Sequence, residues 1–195
     1  MFNKIFLKSF LIGSMSMIIS SCGSDESAGG NVTEFTTSYA SASAATTRLE
    51  ADLITGNTCT ATGTPGTIVT ESVDFTVTTT STVKSTSVPA VTPLPISITG
   101  YTVSYVPKNA GVPALAPSTG TTTVIITPSG SATISVPIIT DLQKVNFISA
   151  NPSLPCSLNI YQYDVSVIFN AAEVGISGSK TITANLVLAV ADRNN

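Results

Sequence analysis

A period of two runs through most of this chain and constrains its fold more than any other feature. Between Val73 and Val83, the residues Val73, Phe75, Val77 and Val83 fall on one side, and Asp74, Thr76, Thr78 and Thr80 fall on the other. Tyr161, Tyr163, Val165, Val167 and Phe169 repeat the pattern, as do Ile182, Ala184, Leu186, Leu188 and Val190. Successive side chains of a β-strand point to opposite faces, so this spacing predicts strands with one buried face; an amphipathic helix needs apolar residues three and four apart. Arg48 to Leu53 alternates Leu49, Ala51 and Leu53 with Arg48, Glu50 and Asp52, and predicts a further strand. Ile96 to Val106 is rich in β-branched and aromatic residues, and Gly100 within it marks a bulge that exchanges the inward side. Thr121 to Thr127 and Ala132 to Ile138 are separated by Pro128-Ser129-Gly130, turn chemistry that predicts a hairpin.

Strands of this kind joined by Gly- and Pro-rich connections predict an all-β fold. The expected architecture is a seven-stranded antiparallel β-sandwich of immunoglobulin-like type, with a barrel as the competing arrangement. The stretch from Tyr163 through Phe169 into Asn170 to Ser177 (YDVSVIFNAAEVGIS) resembles the penultimate strand and following loop of fibronectin type III domains. The resemblance implies the architecture and no particular activity.

The N-terminus has a different character. Lys4 and Lys8 precede an apolar run from Phe10 to Ser20, shorter than the roughly 20 residues a spanning helix needs, which is the form of a signal peptide. The run ends in Ile19-Ser20-Ser21-Cys22, which resembles the lipobox of bacterial lipoproteins. That resemblance implies diacylglycerol on the Cys22 sulfur, cleavage before Cys22 and acylation of the new amine, hence a firm anchor of more than one acyl chain. Gly23 stands where an Asp would hold such a protein at the inner membrane, so the resemblance implies an outer-membrane location in the cell envelope, facing either the periplasm or the outside. The expected organisation is a signal peptide over 1–21, the lipidated Cys22 with a Ser/Thr/Ala/Gly-rich flexible tether over 22–46, and a β-sandwich domain over 47–195.

If lipid occupies Cys22, the two other cysteines, Cys59 and Cys156, are left in a compartment where disulfides persist. On the expected topology both lie in loops at one end of the domain, and they are expected to pair. With Lys4 and Lys8 gone, eight basic residues fall to six against eleven acidic. Phosphate binding needs a clustered excess of Lys and Arg, so nucleic acid is not an expected partner.

The sequence withholds most catalytic chemistry. It has no histidine, which removes Ser-His-Asp triads, Cys-His pairs and His-ligated zinc. Lys84, Lys108, Lys144 and Lys180 are candidates for a Ser-Lys dyad, but none sits in a Ser-x-x-Lys motif, and they read as solvated surface lysines. Glu71, Asp74, Asp141, Asp164, Glu173 and Asp192 are scattered and read as single acids on polar strand faces. No calcium loop or phosphate-binding loop is spelled out, so no cofactor and no metal is expected. Tyr101, Tyr105, Tyr161 and Tyr163 are the one candidate ligand face. At even spacing on two strands they either form small aromatic platforms for a sugar or peptide or pack into the core.

Two functions remain in view. One is a membrane-anchored, noncatalytic envelope or surface lipoprotein that binds a protein or glycan partner or builds structure. The other is a small extracytoplasmic hydrolase with a site of Ser, Lys and carboxylates. The absence of a motif favours the first.

Overall fold

The computed structural model describes residues 30–60, 63–83, 91–157 and 159–193. The expected signal peptide and Cys22 lie outside these residues. The alternating segments form strands that pack as two sheets of a β-sandwich. In chain order the elements are β1 (Thr33–Glu34), β2 (Ser38–Ala44), β3 (Arg48–Asp52), β4 (Glu71–Ser81), β5 (Ile96–Pro107), β6 (Ser118–Ile126), β7 (Ser131–Ile139), α1 (Asp141–Ala150), β8 (Tyr161–Glu173) and β9 (Lys180–Ala191). One sheet has the order β1-β2-β4-β7 and the other β3-β9-β8-β5-β6. The placement of β4 beside β7, and of β9, β8 and β5 in the opposite sheet, is the immunoglobulin-like arrangement.

The inward faces follow the period of two. Val73, Phe75 and Val77 of β4, Ile134, Val136 and Ile138 of β7, Val165, Val167 and Phe169 of β8, and Ile182, Ala184 and Leu188 of β9 are all buried in one core. Phe75 and Phe169 meet edge to face across the sheets, their ring centroids 5.7 Å apart. In β5 the inward side changes from Ile96 and Ile98 to Val103, and the register shifts between Ile98 and Gly100, where the sequence predicts a bulge.

Four features depart from expectation. The segment 22–46 is not a tether throughout, because β1 and β2 occupy Thr33–Glu34 and Ser38–Ala44, and the folded domain already includes Gly30, whose N–H donates to the Ala42 carbonyl, ahead of the expected start at residue 47. The buried positions of β2 are Ser38, Ala40 and Ala42, with Tyr39 outside, so small residues make the inner face and give no hydrophobic alternation to read. Small size is required at this edge: a Cβ on Gly30 would collide with the Thr183 carbonyl of β9. Second, the sandwich is not wholly antiparallel, since β3 runs parallel to β9, pairing Arg48 with Val187 through Asp52 with Ala191. Third, the Pro128-Ser129-Gly130 turn is not an in-sheet hairpin; it carries the chain from β6 in one sheet to β7 in the other. Gly130 N–H donates to Thr127 C=O at 3.0 Å, with Ser129 in the left-handed region at φ 57°. Fourth, a helix, α1, interrupts the strands. Thr140 caps it in a reciprocal capping box with Gln143.

Helix α1, the described parts of the 53–70 connection and the described residues between α1 and β8 lie at one end of the sandwich. There Cys59 and Cys156 form a disulfide, with Cα atoms 5.4 Å apart and a sequence separation of 97. Crosslinking so long a loop restricts the unfolded chain. The double substitution Cys59→Ala with Cys156→Ala is expected to lower the unfolding free energy by about 2–4 kcal/mol. Urea denaturation followed by far-ultraviolet circular dichroism checks this.

Candidate functional site

The polar chemistry of the domain collects at its two ends. At the end that carries the helix, Lys144 projects inward from α1 and is wholly buried. Its Nζ donates to the Asp52 carbonyl at 2.5 Å and to Glu71 Oε1 at 2.6 Å, and Asp52 N–H donates to the same Glu71 oxygen at 3.0 Å. The ammonium thus joins α1 to the ends of β3 and β4. Asp52 also accepts from Arg193 N–H through Oδ1 at 2.9 Å. The guanidinium of Arg193 pairs with Glu50, which pairs in turn with Arg48.

Beside this network lies a second carboxylate, Asp192. Asn57 Nδ2 donates to both its oxygens, at 2.9 and 3.0 Å, and Cys156 N–H donates to Oδ2. Asp192, Cys59 and Cys156 come close enough to resemble a ligand set. Here the two sulfurs are bonded to each other and both carboxylate oxygens are taken by N–H groups, so the cluster ties the disulfide loop to the end of β9.

At the opposite end, Glu173 closes β8 and turns its carboxylate inward. Thr36 N–H donates to Oε2 at 2.9 Å, and Thr37 donates to Oε1 through N–H and through Oγ1, both at 2.8 Å. Thr37 Oγ1 accepts in turn from Leu94 N–H at 3.0 Å. Burial pushes the Glu173 carboxyl up, but the hydrogen bonds from Thr36 and Thr37 outweigh it and hold the group below its ordinary value. Nearby, Lys180 Nζ donates to the Glu34 carbonyl at 2.6 Å and lies over the Phe35 ring.

The four tyrosines make no exposed platform. Tyr163 is fully buried, while Tyr101, Tyr105 and Tyr161 are half-buried against the core. Tyr105 and Tyr163 meet edge to face, Tyr101 meets Phe169, and Tyr161 meets Phe147 of α1. Their hydroxyls serve the fold: Tyr105 donates to the Ile138 carbonyl at 2.6 Å, strapping one sheet to the other, and Tyr163 donates to the Pro113 carbonyl at 2.6 Å. Burial raises the Tyr163 phenol above its ordinary value, and Tyr161 adds to the effect.

Of the lysines and acids expected at the surface, Lys144, Glu173 and Asp192 depart from that role, whereas Lys108, Lys180, Asp74, Asp141 and Asp164 keep it. Lys144 and Glu173 are interior, and Lys108 pairs with Asp164 at 3.3 Å. Among the described residues no lysine bonds a serine hydroxyl, and Lys84 lies outside them. A cleft of about 250 Å³ opens between α1 and the 113–116 segment, with Leu115 and Phe147 on its apolar side and Gln143, Asn146 and Asn151 on its polar side. Gln143 is committed to Thr140 and Ala116, and Asn151 to the Phe147 carbonyl. Sequence reading missed this region because it missed α1, whose signal is Thr140-Asp141-Leu142-Gln143, a cap with Gln three residues on.

No known protein family matches this chain. No curated protein matches it either. Among solved structures, the crystal structure of a protein from Archaeoglobus fulgidus is similar over 80% of this chain and 95% of that one, at 10% identity and a TM-score of 0.35.

Two predictions follow from the buried ions. Glu71→Ala leaves the Lys144 ammonium enclosed without its counter-ion and is expected to cost about 3–5 kcal/mol of stability. The double variant Glu71→Met with Lys144→Met is expected to cost less than Glu71→Ala alone, because it removes the stranded charge; urea denaturation of both variants decides. For Glu173, the folded value lies below the unfolded one of about 4.3, so its contribution is complete above that pH and is lost as pH falls through the lowered folded value. Glu173→Gln is therefore expected to be less stable than the parent at pH 7, with the difference closing below about pH 4 in parallel thermal melts.

Proposed function

We propose that this chain is a bacterial envelope lipoprotein, anchored through lipid on Cys22, whose β-sandwich is a noncatalytic module that binds a protein or glycan partner or builds envelope structure. The observation that carries the reading is Ile19-Ser20-Ser21-Cys22 at the end of a short apolar run. Two further observations support it. The described fold reaches back to Gly30, so no more than residues 23–29 separate it from the proposed anchor, a span of at most about 25 Å. A module held that near a membrane acts on what lies at the surface. Within the domain, Lys144, Glu173 and Asp192 each spend their hydrogen-bonding capacity on the chain's own backbone and side chains, the ordinary disposition of interior ions that hold loops in place. The Cys59–Cys156 disulfide suits an oxidising compartment.

Growth with a clickable fatty acid tests the anchor. The parent is expected to carry the label on the peptide that begins at Cys22 and to fractionate with membranes. Cys22→Ser is expected to lose the label and leave the membrane fraction. A labelled Cys22→Ser protein, or an unlabelled parent, would refute the reading. Protease added to intact and to lysed cells then assigns the face on which the domain stands.

A further inference from the structure

Among the described residues, three of the ion pairs stand in water. Arg48 with Glu50, Arg193 with Glu50 and Lys108 with Asp164 all have side chains at least 32% exposed. Lys144 with Glu71 is different in kind. The lysine side chain is wholly enclosed, and the glutamate side chain keeps only 20% of its surface. Nζ lies 2.6 Å from Glu71 Oε1, and the backbone of a single residue clamps both groups. Asp52 C=O accepts from Nζ at 2.5 Å, and Asp52 N–H donates to Oε1 at 3.0 Å. Holding two charges out of water is costly, and an uncharged replacement of similar shape is often the more stable arrangement.

We propose that Lys144 and Glu71 are the reactants of an internal amide bond between Nζ and Cδ, which the folded domain closes by expelling one water; the ion pair is the state before closure. An amine and a carboxyl enclosed side by side react as an intramolecular pair, for which effective concentrations of about 10⁵ M or more are reached when the orientation is right. The steps balance without a further reactant. One proton passes from Nζ to the carboxylate, leaving an amine and a carboxylic acid. The terminal torsion of a glutamate is broad, so the carboxyl can turn its face to Nζ. Nζ then attacks Cδ, and the acid's hydroxyl takes a second Nζ proton and departs as water on the exposed side of Glu71. The departing oxygen is Oε2, because Oε1 is held by Asp52 N–H, a donor that also stabilises the negative charge gathered there in the tetrahedral intermediate. Both contacts to Asp52 outlast the reaction. The amide N–H keeps the Asp52 carbonyl and the amide oxygen keeps the Asp52 N–H, so the cradle that holds the ions is already the hydrogen-bond complement of the product. The bond joins α1 to the first residue of β4, inside the loop that the disulfide closes. The inference goes beyond the anchored-module reading, holds with or without lipid on Cys22, and requires no external substrate.

Mass spectrometry of tryptic peptides from the full-length chain, purified in detergent, incubated at neutral pH, then reduced and denatured, tests it. The parent is expected to give a peptide that carries both Glu71 and Lys144, is uncut after Lys144, and weighs one water less than its two parts, either at once or in a fraction that grows with incubation. Fragmentation is expected to place the link at these two side chains. Glu71→Ala is expected to lose the linked peptide and to be cut after Lys144, and Lys144→Arg is expected to lose it as well. The digest of the parent decides by itself, whether or not the variants fold. A parent that stays unlinked and is cut after Lys144 throughout the incubation, a missing water that maps to other residues, or a linked peptide that persists in Glu71→Ala would each overturn the proposal.

Discussion

Two sheet faces can leave water together only where every inward position is apolar or already has its partner, and the rest of this molecule follows from meeting that condition. Phe75 of β4 against Phe169 of β8 is the centre of it. Burying a large apolar side chain contributes about 1.5–3 kcal/mol, and the neighbouring Val, Ile and Leu positions of β4, β7, β8 and β9 repeat the gain along both sheets. The pairing of strands is set by the same faces. A slip of one residue would turn every inward side chain to solvent, so the alternation that makes the core also holds the register.

The ends of a sandwich cannot be closed in this way, because loops carry backbone groups that need partners. Here each end is closed by a buried ion. Lys144 brings α1 onto the ends of β3 and β4, and Glu173 gathers the N–H groups of the turn between β1 and β2. These are two solutions of opposite charge to one problem. An ammonium serves where carbonyl and carboxylate oxygens converge, and a carboxylate serves where N–H groups converge. Tyr105 and Tyr163 do the same for single carbonyls while their rings remain in the core.

The long strands were legible in the sequence because their inward residues are large and their outward ones polar, as in β4, β8 and β9. Gly100 was legible as a bulge because glycine inside a strand has few other uses. What escaped reading did so for physical reasons. In β2 the inner face is Ser38, Ala40 and Ala42, which side-chain hydrophobicity alone does not separate from a linker. The parallel course of β3 beside β9 and the passage of the chain between sheets after β6 depend on which strand is adjacent in space, which alternation does not encode. Lys144 and Glu173 looked like surface charges because their burial rests on donors and acceptors more than seventy residues away in sequence. The tyrosines were placed on strands correctly, but the choice between platform and core turned on carbonyls of distant segments. The pairing of Cys59 with Cys156 was legible because loop positions at one end of the domain followed from strand order alone.

The disulfide has a mechanical consequence. A pull on the N-terminal end of the domain reaches β1 first, which is held to β2 at only two paired positions, Thr33 with Ala40 and Glu34 with Tyr39. Next it reaches β2, whose seven pairs with β4 resist along the strand. Once those and the five pairs of β3 with β9 yield, extension stops at Cys59, because the covalent link to Cys156 takes β4 through β7 and α1 out of the path of tension. The slack that force can draw from this domain is therefore confined to the segments outside the bridge, and the greater part of the folded chain stays unstretched until the bond itself is reduced.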